Sequence, residues 1–177
     1  MQLFRSNKRY TILFSCRGGG QPPSIYFTNS LPEVEPVCFI ISKENMSEIK
    51  NLDPTQAWDI LQKQPDAVLI DVRTAFEFAY IGHPLGAVHV PWKELPNWDL
   101  NPNFVDQVES KVSTKDTAVL LLCRSGQRSM DAAQVLSDAG FSNPINVAEG
   151  FEGPLNANRQ RGTLGGWRFH GLPWEQS

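Results

Sequence analysis

The run Ala118-Val119-Leu120-Leu121-Leu122 constrains the fold more than any other feature of the chain. A strand with one solvated face alternates apolar and polar side chains, so an unbroken apolar strand must be covered on both faces. Ala67-Val68-Leu69-Ile70, which leads into Asp71, has the same character. Ile49 to Leu52, Ala87-Val88-His89-Val90 and Ile145-Asn146-Val147-Ala148 read as further short strands. Helical spacing fills the intervals. Asp53 is a natural N-cap, Pro54 suits the first helical position, and Ala57, Ile60 and Leu61 follow at helical spacing. Thr74 to Tyr80 predicts a short helix, and Phe104, Val105, Val108 and Val112 another. Ala132, Ala133, Val135, Leu136 and Ala139 predict a third, closed by Gly140. Buried strands alternating with helices specify an α/β fold, a central, mostly parallel sheet flanked by helices on both faces.

The 177 residues suffice for one domain with a sizeable core, and no internal repeat is present. The compact pattern begins at Met46, so residues 46–177 are read as the domain and residues 1–45 as an extension. In the extension, Arg5, Lys8, Arg9 and Arg17 precede the first acidic residue, Glu33, and Gly18-Gly19-Gly20 and Pro22-Pro23 break regular structure. It is expected to be disordered or an over-long start. An export signal with Tyr10 to Ser15 as its core and an organellar transit peptide are the alternatives. A net charge of −3 gives no sign of nucleic-acid binding, and no apolar run is long enough to cross a membrane. Cys16, Cys38 and Cys123 have neither disulfide-framework nor zinc spacing, which suits a reducing, cytoplasmic location.

The segment that promises chemistry is Cys123-Arg124-Ser125-Gly126-Gln127-Arg128-Ser129. A buried strand delivers Cys123 to a polar loop, and a helix follows at once. Ligands of parallel α/β sheets gather at the carboxyl ends of strands. The loop is expected to curl so that several backbone N–H groups converge on the sulfur, with the helix N-terminus and the charges of Arg124 and Arg128 adding positive potential. These influences favour a thiolate, the nucleophilic form of cysteine, and would equally favour a terminal persulfide anion. A lone cysteine at a strand end is more commonly a small buried hydrophobe. The polar loop, the glycine and the two arginines are what point to reactivity.

Four segments in order resemble the rhodanese family. They are Asp71-Val72-Arg73 with Glu77 and Phe78, then Gly82-His83-Pro84-Leu85-Gly86-Ala87-Val88-His89-Val90-Pro91, then the loop from Cys123, and finally Glu149-Gly150 with Trp167 and Gly171-Leu172-Pro173. The resemblance covers nearly all of residues 46–177 and implies a rhodanese-like fold and a sulfurtransferase without metal or cofactor. In the reaction it implies, a donor such as thiosulfate gives its outer sulfur to Cys123, and a thiol or cyanide acceptor then attacks the persulfide. Carried over by position, Cys123 is the nucleophile. Arg124, Ser125, Gly126, Gln127 and Arg128 form the substrate cradle, and Asp71 and Arg73 brace the loop from behind. A purely structural ion pair is the plainer reading of those last two. A protein partner in a sulfur relay is a further possibility the family offers.

The chain departs from the family at Pro84-Leu85, where an aliphatic residue then Pro is usual, and at residues 151–162, which read as an inserted loop before a final helix. Cysteine phosphatases also use a Cys–Arg loop but place five residues between the two. Here four residues separate Cys123 from Arg128, and the phosphatase position holds Ser129, so the loop suits sulfur better than phosphate. A low-turnover carrier or regulatory module is the non-enzymatic rival. His83 is expected to organise its turn and His89 to be structural. Neither they nor His170 has metal-ligand spacing.

Overall fold

The computed structural model describes residues 48–176, so the readings of residues 1–45 and of Met46 fall outside the described residues. The chain runs β1 (Lys50–Leu52), α1 (Pro54–Lys63), β2 (Val68–Asp71), a π-helix (Glu77–Ile81), β3 (His83–Pro84), β4 (Val88–His89), β5 (Lys93–Glu94), β6 (Asp99–Leu100), α2 (Phe104–Glu109), β7 (Val119–Leu122), α3 (Gln127–Asp138), β8 (Pro144–Val147) and β9 (Trp174–Glu175). Five strands form one parallel sheet in the order β1-β8-β7-β2-β4. Two antiparallel pairs, β3 with β9 and β5 with β6, stand outside it.

The apolar runs are continuous because both sheet faces are buried, and successive side chains are sorted between two cores. Leu69, Leu120, Leu122, Ile145 and Val147 face α1 with Ala57, Phe151 and Trp167. Ile70, Val119 and Leu121 face the other way, onto Phe104 and Val108 of α2 and Ala132, Ala133 and Leu136 of α3. Register agrees: Leu69 lies beside Leu120, which lies beside Ile145, and Ile70 lies beside Leu121. The expected layering, a parallel sheet with helices on both faces, is therefore what the chain forms.

Local signals explain the element ends. Asp53 caps α1, accepting from the N–H groups of Thr55 (2.8 Å) and Gln56 (2.9 Å), while Gln56 Oε1 accepts from the Asp53 N–H at 3.2 Å. Hydrogen bonds from Thr55 and Gln56 hold the Asp53 carboxyl below its ordinary range. After α3, Gly140 turns at φ +88° and the Phe141 N–H reaches back to the Leu136 carbonyl (3.0 Å).

Two expectations need correction, and the inserted loop is anchored in the core. The helix expected over Thr74 to Tyr80 is a π-helix over Glu77–Ile81. Its wider turn accompanies Glu77, which points inward, while Phe76 and Tyr80 stack on each other in solvent. The inserted loop at residues 151–162 is rooted in the core. Phe151 is buried, and the N–H groups of Phe151 and Glu152 bind the carbonyls of Cys123 and Arg124 at 2.8 and 2.9 Å. The final helix is reduced to turns over residues 167–171, where Trp167 fills the α1-side core and its indole N–H binds the Pro173 carbonyl (2.8 Å). Leu172 and Pro173 then lead into β9.

Candidate functional site

Cys123 lies directly beyond β7, and its neighbour across the ladder is the Asp71 end of β2, since Leu122 pairs with Asp71 and the Val72 N–H binds the Leu122 carbonyl (2.9 Å). The thiol is almost wholly buried. Its Sγ accepts from the Gly126 backbone N–H at 3.1 Å and from the Ser129 hydroxyl at 3.2 Å. The Ser129 hydroxyl lies equally close to the Gly126 carbonyl, so its single proton is shared between two acceptors. The expected convergence of several backbone N–H groups is thus corrected: one N–H and one hydroxyl point at the sulfur. Both belong to the entry of α3, whose positive end faces the same way.

Two glycines allow this loop to exist. Gly126 adopts φ +95°, and a Cβ there would lie 1.8 Å from the Ala148 carbonyl oxygen. Gly150 adopts φ +63°, and a Cβ there would lie 2.4 Å from the Cys123 carbonyl oxygen. The cysteine loop and the turn after β8 therefore pack backbone to backbone. Gly126 works through this packing and its N–H and is not part of the pocket lining.

In front of the sulfur is an open pocket of about 350 Å³ lined by Cys123, Arg124, Ser125, Gln127, Arg128, Lys93 and Trp98. The structure thus brings Arg124, Ser125, Gln127 and Arg128 together around Cys123, but their states differ. Arg128 is not a free cation. Its two terminal nitrogens bind the Glu77 carboxylate at 2.8 and 2.7 Å, a bidentate pair. Burial opposes the charge on Arg128, but Glu77 overcomes it and raises the guanidinium above its ordinary value. Burial likewise pushes the Glu77 carboxyl up, yet the Arg128 and Thr74 hydrogen bonds prevail and hold it at about 2. Among the described residues, no ion-pair partner is present for Arg124 or Lys93.

Asp71 and Arg73 stand behind the loop, both fully buried and joined at 2.6 Å. Arg73 also donates to the Gly82 carbonyl (2.7 Å), and its guanidinium lies 4.3 Å from the Phe151 ring centre. The pair ties together the ends of β2, the turn before β3 and the segment that binds the Cys123 carbonyl. Neither residue lines the pocket. His83 and His89 are structural as expected. The His83 Nδ1–H donates to the Phe78 carbonyl (3.0 Å) and the His89 Nε2–H to the Arg73 carbonyl (2.8 Å). His170 binds Glu149, which also accepts from the Gly166 N–H.

Four residues at the site received no role from the sequence: Glu77, Ser129, Lys93 and Trp98. Glu77 and Ser129 lie in the segments singled out above. A carboxylate spaced to meet Arg128 was readable only as a motif member, because their contact spans 51 positions. Nothing in the sequence marks Lys93 and Trp98, which arrive from the β5–β6 hairpin.

Known proteins share this fold. The family model for the rhodanese-like domain matches residues 53–157. An uncharacterized protein of Rickettsia conorii is 36% identical over 131 residues, covering 72% of this chain and 98% of its own. The thiosulfate sulfurtransferase GlpE of Pseudomonas putida is 36% identical over 107 residues, covering 60% of this chain and 86% of its own. The crystal structure of Rv0390 from M. tuberculosis superposes with a TM-score of 0.67 at 39% identity, over 74% of this chain and all of that one.

Proposed function

This chain belongs to the rhodanese-like domain family, and from that premise we propose that it is a sulfurtransferase in which Cys123 carries the transferred sulfur as a persulfide. The observation that carries the reading is the sulfur itself: Cys123 lines the pocket, and the Gly126 N–H and the Ser129 hydroxyl are directed at its Sγ. Donors so placed stabilise negative charge on sulfur in a site of low dielectric. They serve the thiolate before transfer and the persulfide after it.

In the first step the Cys123 thiolate attacks the outer sulfur of thiosulfate. A bond forms between Sγ and that sulfur, the bond between the two thiosulfate sulfurs breaks, and sulfite leaves with the electron pair. In the second step a thiolate or cyanide attacks the terminal sulfur. The Sγ–S bond breaks, its electrons return to Sγ as thiolate, and a persulfide or thiocyanate is released. Arg124, Ser125, Gln127 and Arg128 surround the reacting atoms. Asp71 and Arg73 hold the loop without touching them. No metal or cofactor enters either step.

We read residues 46–177 as the rhodanese domain and residues 1–45 as an extension to it. We place the protein in the cytoplasm, where a free thiol persists. Among the described residues no helix is long and apolar enough to cross a membrane. The phosphatase alternative is disfavoured by Glu77, which occupies the two guanidinium nitrogens that a phosphate would need. Intact-mass measurement after incubation with thiosulfate should show one added sulfur on the wild type and none on Cys123→Ser. No gain with thiosulfate, mercaptopyruvate or a cysteine-desulfurase donor would overturn the proposal. Turnover of the loaded protein with cyanide and small thiols separates an enzyme from a relay carrier, which would release its sulfur only to a protein thiol.

A further inference from the structure

The pocket in front of Cys123 has two walls of different origin. The cysteine loop supplies one, and the β5–β6 hairpin supplies the other through Lys93 and Trp98. Three cationic side chains line it, but the charge of Arg128 is matched by Glu77. Among the described residues, the pocket charges without an ion-pair partner are Arg124 on the loop and Lys93 on the hairpin. Lys93 is half-buried and set in a strand paired with Leu100, so it is a placed charge and not a loose surface one.

Trp98 is the second unusual feature. It is a large side chain at φ +62°, a conformation that non-glycine residues avoid, and its ring is half exposed at the pocket. The Arg128 guanidinium lies 5.4 Å from the ring centre. Residues held so, against their own backbone preference, cluster at active sites and ligand clamps. The pocket volume is on the order of ten water volumes, more than a thiosulfate ion fills.

We propose that Lys93 and Trp98 select the sulfur donor: Lys93, together with Arg124, holds its anionic head, and Trp98 packs against whatever body the donor carries. The proposal rests on the persulfide reading above. It concerns how the donor is chosen and leaves the transfer itself to the cysteine loop. The corresponding donor class is a thiosulfate or thiosulfonate, R–SO2–S⁻. Sulfur passes from a thiosulfonate as it does from thiosulfate: the Sγ–S bond forms, the S–S bond breaks, and a sulfinate leaves with the electron pair.

The test follows persulfide formation by intact mass with thiosulfate, methanethiosulfonate and benzenethiosulfonate, which differ in charge and in body. Lys93→Met should raise the KM for thiosulfate about five- to tenfold and that for the singly charged methanethiosulfonate less, with the limiting rate nearly unchanged. Lys93→Arg should restore the thiosulfate KM. The wild type should take benzenethiosulfonate at lower KM than methanethiosulfonate. Trp98→Gly, which suits the positive φ, should erase that preference. Unchanged KM ratios in both variants, or a lowered limiting rate with the ratios unmoved, would overturn the assignment. Failure of the wild type to take sulfur from any of the three would instead overturn the persulfide reading on which it rests.

Discussion

Two acid–arginine pairs flank the cysteine loop, and they are built differently. Asp71 and Arg73 are two residues apart, wholly buried, and bound to the fixed backbone of the turn at Gly82. Glu77 and Arg128 are 51 positions apart, retain some solvent access, and join the π-helix to the first turn of α3. The first pair holds backbone: its loss would loosen the ends of β2 and the Phe151 segment behind Cys123. The second pair holds a charge: it fixes a guanidinium beside the pocket while cancelling most of its attraction for a ligand. Similar chemistry thus serves as a brace in one place and as a positioned, neutralised wall in the other.

The comparison breaks if the two pairs respond alike to substitution. Arg73→Met should cost most, about 3–5 kcal/mol, because it strands the Asp71 carboxylate in the core. Urea denaturation should show this as a lowered midpoint. A loss below about 1 kcal/mol would remove the distinction between brace and wall. Arg128→Met should cost less, about 2 kcal/mol, since water can reach Glu77. Adding Glu77→Gln should recover part of that loss, and a double-mutant cycle that shows no coupling would mean that the pair contributes nothing.

The third effect is in acid. The Glu77 carboxyl is lowered from 4.5 to about 2 in the folded protein. A depressed carboxyl stabilises the fold fully above its unfolded value and loses that contribution as pH falls through the folded value. Wild type should therefore exceed Glu77→Gln by up to about 2 kcal/mol at neutral pH, and the gap should close between pH 4.5 and about 2. Denaturation midpoints of both proteins across that range measure it, and a gap independent of pH would show that the carboxylate charge is not what stabilises.

Most of the layering was legible because burial on both faces leaves a one-dimensional trace. Val68–Asp71 and Val119–Leu122 could hardly be anything other than interior strands, and the Asp53-Pro54 start and Gly140 stop of helices are local signals. The π-helix was not legible, because an apolar period over Thr74 to Tyr80 does not distinguish the width of a turn. Nor was the burial of Phe151, which depends on Gly126 and Gly150 letting two loops meet.

The sequence by itself determined the parallel α/β core and the placement of Cys123 at a strand end before a helix, since both follow from hydrophobic period and from residues adjacent in the chain. Tertiary structure decided what surrounds that sulfur. Whether Arg128 is free or paired, and whether Lys93 and Trp98 reach the pocket, depends on contacts between segments far apart in the chain, and no local propensity encodes those distances.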